Sequence, residues 1–503
     1  LGVEGDWPDG TALEIESTTG IAPKATLLSG GRGELTLAYG EGTIGGATVT
    51  AGVGGVAATF TLADPYAGTL KIDSVLADGS PTPVLARLTR DGAMLPGRYQ
   101  ESVPGVYLAP PWSVELAPGV WNLEVTRGPQ FETYRQEVSI GSGKSQELAE
   151  IRLERRIDLR KDGWYGGDAD GDVYHGERIY TDVTPRTAAE IAQAMGLDWV
   201  GVGAWGDPKP RNWREARATT QALSLPHFLF MWTDERPKTA DGHGCFLGMT
   251  GPDDSTLGAA WASPRPLENF EVLYGIRAHG GATFVNHPLR WWMKGERFNT
   301  NMYSSLAFDL CAAGLMDGYN INEGAAETAV WSMLLDHGYQ VAATAGADFC
   351  LDRPSGPPPG KARMYLHCPE GMTEEALSAA LRAGHTIVST GPALLADIAG
   401  APPGSTVSAQ GKHPLVAKAW ARGDEADPLL RLELFAHGKV IAERALDGRE
   451  SAEETFEWQP EGERDWVAVR LVSKRGWAMT SAFFAEGEGW HSKTPLECDL
   501  TLK

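Results

Sequence analysis

Residues 184–205 read TPRTAAEIAQAMGLDWVGVGAW, and the change of period inside this stretch decides the fold class. Thr184 stands where a helix N-cap belongs, Pro185 at the first helical position and Gly196 just past the end. Between them Ala188, Ile191, Ala192 and Met195 recur at helical spacing. The run LDWVGVGAW then reads as a buried strand. The same alternation follows along the chain. A helix over 213–222 precedes the strand HFLFMW, one over 267–278 precedes ATFVNH, and one over 325–337 precedes QVAATAGAD. Repeated helix–strand units of this length imply a parallel sheet, and their number predicts a closed or nearly closed β/α barrel.

Outward from this region the pattern is β-rich on both sides. Residues 1–66 are rich in Gly, Ala and Thr, with short alternating runs such as ELTLAYG. Residues 67–155 carry Asp-Gly turns at Asp78-Gly79 and Asp91-Gly92 between β-branched runs, as in a small sandwich. Helices stop after TEEALSAALRAGHTIVSTGP, and LLRLELFAHGKVIAE, with its His437-Gly438 turn, marks a C-terminal β-sandwich. The expectation is a multidomain chain: a β-rich domain over 1–66, a sandwich that resembles the carboxypeptidase-regulatory type over 67–155, a β/α barrel over 156–390 and a sandwich over 391–503. A length of 503 residues suits that division.

Composition narrows the function. With 42 % hydrophobic and 22 % charged residues the chain is of globular type. The net charge of -22 argues against nucleic acid or an anionic membrane as partner. No apolar run approaches the roughly 20 residues that span a bilayer. The five cysteines show no Cys-x-x-Cys pair or metal-type spacing and do not fix the redox compartment. The chain opens at Leu1 rather than methionine, as either a trimmed chain or a processed mature form would, and a secreted or periplasmic location is the expectation. There is no Gly-x-Ser-x-Gly elbow and no Walker phosphate loop.

In a β/α barrel the chemistry gathers at the C-terminal ends of strands. After HFLFMW come Asp234 and Glu235, then His243; after ATFV come Asn286, His287 and Arg290; after DGYNIN comes Glu323; after VAATAGA comes Asp348. The stretch GGDADGDVYHGE, residues 166–177, stands where a first strand would end. On a strand its Asp168, Asp170 and Asp172 would share one face, where like charges repel unless a cation balances them. It lacks the Gly and Glu that an EF-hand loop needs, since Val173 and Ile179 stand there instead. Acids after strands also serve as turn and cap residues, so it is the convergence of several on one rim that points to a site.

LERRIDLRKDGWYGGD, GATFVNHPLR, VAATAGAD and ALRAGHTIVSTGP, in this order and spacing, resemble the CehA/McbA-type branch of the PHP (polymerase and histidinol phosphatase) superfamily. The resemblance covers roughly residues 67–500 and implies a metal-dependent hydrolase of phosphoester, ester or carbamate bonds on a distorted seven-stranded barrel. The ligand set departs from the family pattern. Asp170-Gly171-Asp172 stands for its first His-x-His, Ala204-Trp205-Gly206-Asp207 for its Asp-His, and Gly346-Ala347-Asp348-Phe349-Cys350 for its Gly-Ser-Asp-x-His. Glu235, His243, His287 and Asp348 remain.

The resulting expectation is a hydrolase with Asp170, Asp172, Glu235, His243, His287 and Asp348 as metal ligands. His175 and Glu177 serve as general acid and base, Glu235 as a further catalytic group, and Arg290 faces an anionic or carbonyl oxygen. The cofactor is a divalent ion, Mn²⁺, Mg²⁺, Ca²⁺ or Zn²⁺, with carboxylates favouring the harder ions. The substrate is a small molecule or a saccharide. Two alternatives stand beside it. One is a carboxylate-only glycosidase or lyase, suited by Glu177, Asp234, Glu235, Glu323 and a rim of Trp205, Trp232, Trp291 and Trp292. The other is a ligand-binding pseudoenzyme.

Overall fold

The computed structural model describes residues 67–95, 113–173, 183–203, 215, 217–233, 273–288, 307–322, 324–352 and 356–487, together with the backbone of certain strands and helices outside these ranges. The molecule is built of several sheets and is mostly β. Within residues 1–66 the backbone forms two three-stranded antiparallel sheets.

Residues 67–155 form three small sheets around one core. Strands Val84–Arg90, Gly119–Thr126 and Tyr134–Ile140 pair antiparallel, and Gly68–Ile72 pairs with Trp112–Leu116. Alternate residues Leu70, Val84, Leu88, Trp121, Leu123 and Val138 point into that core. Asp91 and Gly92 both take positive φ, 53° and 79°, as a two-residue hairpin turn requires.

The helix–strand units lie where the sequence pattern puts them. β1 (Trp164–Asp168) and the short β2 (Gly171–Asp172) lead to α1 (Pro185–Ala194) and β3 (Trp199–Val202). Thr184 caps α1 reciprocally: its hydroxyl accepts from the Thr187 amide and its own amide donates to the Thr187 hydroxyl. Then follow α2 (Trp213–Leu223), β4 (Leu229–Trp232), β5 (Gly242–Leu247), α3 (Leu267–Ala278), β6 (Ala282–Asn286) and β7 (Gly318–Asn320). The series ends with α4 (Ala325–Asp336), β8 (Ala342–Thr344), β9 (Phe349–Cys350), β10 (Arg363–His367), α5 (Glu374–Arg382) and β11 (Thr386–Ser389). β3 and β6 are buried at every position, which is the pattern of a parallel sheet covered on both faces.

These strands form two arcs. One runs β4-β3-β1-β10-β11, with β1, β3 and β4 mutually parallel; the other runs β5-β6-β7-β8, with β6, β7 and β8 mutually parallel. Where β8 meets β11, side chains make the join. The Thr386 hydroxyl donates to the Ala343 carbonyl at 2.6 Å, and the Ala343 amide donates to the Ser481 hydroxyl at 2.8 Å. Among the described residues no ladder closes the arcs into a ring, so a closed barrel is not what the hydrogen bonding displays.

The first arc does not stop at residue 390. β11 pairs antiparallel with Trp477–Thr480, here β15, which pairs with β14 (Arg464–Ser473). β14 pairs with β12 (Leu429–Ala436), and β12 with β13 (Lys439–Ala445). The β12–β13 hairpin turns at His437 and Gly438, both at positive φ. A second sheet of Ala393–Ile398, His413–Trp420 and Ser451–Trp458 covers the other side, and Leu394, Leu415, Leu432, Phe456 and Val469 fill the space between.

Candidate metal centre

Asp168 ends β1 and is fully buried. Its Oδ1 accepts the amides of Asp170 and Ala347 at 3.1 and 3.0 Å, and its Oδ2 accepts that of Gly360 at 2.7 Å. Burial pushes its carboxyl up to about 6, against the pull of those three amides and of Arg363. These bonds break the chain's extended run at Ala169 and Asp170. The three aspartates therefore do not line one strand face, contrary to the alternation expected of a continuous strand. Asp168 ties three loops together, Asp170 turns into the cluster below, and Asp172 lies against the end of β3. A Cβ added at Gly203 would come 3.1 Å from the Asp172 Oδ1.

β2 runs parallel to β9, so the Asp170–Asp172 segment lies alongside Asp348–Cys350. The Phe349 amide donates to the Asp170 carbonyl and the Leu351 amide to that of Asp172, at 3.2 and 3.1 Å. Two glycines permit this approach. A Cβ at Gly346 would sit 2.3 Å from the Asp170 Cβ, and one at Gly171 would sit 2.0 Å from the Phe349 ring. At the end of β6, His287 joins them. Ligand-type atoms of Asp170, His287 and Asp348 all lie within 4.8 Å of one another. His287 and Asp348 hold positive φ, 23° and 53°, a conformation costly for residues with a side chain and concentrated at functional sites.

The donor set fits a divalent ion. Protein ligands at about 2.0–2.6 Å from a shared ion stand up to about 4–5 Å apart. Two carboxylates within 4.8 Å also repel by about 3–4 kcal/mol at an effective dielectric of about 20, which a bound cation offsets.

Around the cluster lies a chain of side-chain amides, of which sequence reasoning named Asn286 and missed Asn320 and Asn322. Asn320, fully buried at the end of β7, donates to the Asn286 side chain at 2.6 Å and accepts from the Asn322 amide at 3.0 Å. The Asn322 side chain accepts the Gly346 amide at 3.1 Å. The alternate asparagines of DGYNIN were the available signal. His243 has its backbone opposite Asn286 in the β5–β6 ladder, one residue from His287, while its side chain lies outside the described residues. So do His175, Glu177, Asp234, Glu235, Arg290, Glu323, Trp205, Trp291 and Trp292. Trp232, expected on an aromatic rim, packs into the hydrophobic core instead.

No protein-family model matches the chain, and no curated protein matches its sequence. Among solved structures it is similar to a two-domain protein from Bacteroides vulgatus described as containing a predicted PHP-like metal-dependent phosphoesterase. The identity is 13 %, the TM-score 0.36, and the match covers 62 % of this chain and 91 % of that one. It is also similar to the TIE protein of Bacillus anthracis, at 8 % identity and a TM-score of 0.15 over 96 % and 65 % of the two chains. An FMN-binding beta-glucuronidase from Facaelibacterium prausnitzii L2-6 gives 8 % and 0.17 over 95 % and 74 %. None of these likenesses, all below a TM-score of 0.5, decides the fold or the activity. Among the described residues no helix is long and apolar enough to cross a membrane.

Proposed function

We propose that the chain is a divalent-metal-dependent hydrolase of PHP-like type, cleaving an ester, phosphoester or carbamate bond in a small-molecule or saccharide substrate. One observation carries the reading: residues 170, 287 and 348, from three separate strand ends, bring two carboxylates and an imidazole within 4.8 Å. The left-handed backbone at two of them supports it. Bound there, such an ion supplies Lewis-acid activation of water and of the scissile group.

The chain's own residues hold the site in shape. Asp168 fixes the positions of the 170, 347 and 360 amides, and Asn322 holds Gly346 beside Asp170. His243, Asp172 and Glu235 are further ligands in this reading. His175 and Glu177 transfer protons, and Arg290 takes an anionic oxygen. The same reading closes the two arcs as a distorted β/α barrel over 156–390, with β domains over 1–66, 67–155 and 391–503, in a secreted or periplasmic protein.

The test is metal analysis of protein purified without chelator, with melting in the presence and absence of EDTA, on the parent and on Asp170→Asn/Asp348→Asn. The parent should retain a stoichiometric ion and melt lower in EDTA. Saturation at about 100 times Kd is worth about 2.7 kcal/mol. The double variant should lose both the ion and the EDTA response. An ion-free parent indifferent to EDTA rejects the metal reading and leaves carboxylate-only chemistry on a saccharide.

A further inference from the structure

A cavity of about 620 Å³ lies far along the chain from the Asp170 cluster, where the first turn of α4 meets the β12–β13 hairpin and the loop between β14 and β15. Arg431, Lys439, Arg470, Lys474 and Arg475 line it, and among the described residues no acidic one does. In a chain with a net charge of -22 that is a local inversion of sign.

The acids behind this wall organise it without neutralising it. Glu433, buried between two strands, accepts the Nε–H of both Arg431 and Arg470, which orients their guanidinium groups and leaves the Nη groups of both without a hydrogen-bond acceptor among the described residues. Glu443 lies 3.6 Å from Arg431, and Glu425 accepts from Arg475 at 2.6 Å. Lys439 and Lys474 make no ion pair among the described residues, and both are exposed. The N-terminus of α4 adds to the field. Gly324 at its N-cap offers no side chain to its first amides, and Gly324, Ala325 and Thr328 border the cavity. Trp477 and Phe435 supply flat apolar wall, with the Arg470 guanidinium 5.3 Å above the Phe435 ring.

We propose that this cavity binds a small ring compound carrying two or more phosphate or sulfate groups. The volume lies within the range of small-ligand sites, about 300–1,000 Å³. Anionic groups reach the guanidinium Nη donors and the two lysines, and the ring lies against Trp477. The shared chemistry is a compact oligoanion; whether it is phosphorylated or sulfated is separated by the probes.

The experiment is calorimetric titration of the full chain at about 0.15 M salt, where the Debye length is about 8 Å, with inositol hexakisphosphate, sucrose octasulfate and plain sucrose. Two double variants are compared, Lys439→Ala/Lys474→Ala in the cavity and Lys144→Ala/Lys161→Ala elsewhere, with melting to confirm that each is folded. Saturable binding of one oligoanion, weakened roughly tenfold or more in the first pair and by less than about twofold in the second, supports the site. Response to the phosphate probe alone assigns a phosphorylated ligand, and response to the sulfate probe alone a sulfated one. No saturable binding of either, equal weakening in both pairs, or plain sucrose binding as tightly as its sulfated form overturns it.

Discussion

Asp168 and Asp170 are two residues apart, yet one spends its carboxylate on backbone amides and the other faces a histidine and a second aspartate. Sequence spacing alone cannot separate them, because both are acids at the end of one strand. What parts them is which loops come back to that point, and those loops start near residues 347 and 360. Gly346 is the sensitive position. Its absent Cβ leaves room for the Asp170 Cβ, which would otherwise stand 2.3 Å away. Gly346→Ala must displace one strand end from the other, at an overpacking cost of about 1–3 kcal/mol. In the metal reading it also moves Asp170 away from His287. We expect melting of Gly346→Ala to be lower than the parent's and no longer lowered further by EDTA. A variant that melts low but keeps the parent's full EDTA response would show that Asp170 is not a ligand.

At the scale of elements, the helix–strand units of the middle region were legible because their ends are marked locally. Thr184, Pro185 and Gly196 bound α1 within a dozen residues, and His437-Gly438 marks its hairpin directly. The seam between the two arcs was not legible. It rests on Thr386 and Ser481, whose hydroxyls meet at 2.6 Å across 95 residues of chain, and no periodicity records such a meeting. The His437 turn has a further use. Its Nδ1 meets Asp336 at the end of α4 at 2.6 Å and its Nε2 meets Asp465 on β14 at 2.8 Å, with the Trp466 ring 5.3 Å away. Burial disfavours the imidazolium, but the two carboxylates outweigh it and raise the pKa above its ordinary value of 6.5. The sign follows from that direction. Stabilisation by this bridge is fully present below pH 6.5 and is lost as pH rises through the raised value. The difference in melting temperature between the parent and His437→Gln should be largest near pH 5 and should shrink steadily toward pH 9. A difference independent of pH would assign His437 a packing role alone.

At the scale of the whole molecule, the sequence reading places a boundary near residue 390, while the first arc runs straight across it through the β11–β15 pairing. The cores are shared as well. Trp331, Leu334 and Leu335 of α4 lie in one buried cluster with Phe435, Trp466 and Met479 from beyond the boundary. Trp466 is the clearest link: its ring meets Trp331 edge-on at 5.8 Å, and its indole N–H donates to Asp336 at 2.8 Å. Composition changes at residue 390 because α-helices end there, but a change of element type is not a break in packing. A sheet and a core shared across residue 390 should couple the proposed barrel and C-terminal β domain, so calorimetry should show them melting in one transition rather than two. Trp466→Ala removes a buried indole at a cost of about 3–5 kcal/mol. Hydrogen exchange then distinguishes a joint unit from two neighbours. In the variant, β3 amides at Trp199–Val202 should lose protection together with those of β14, although no residue of β3 lies near the substitution in sequence. Protection lost in β14 alone, with β3 unchanged, would mean that the strands share a sheet but not their stability.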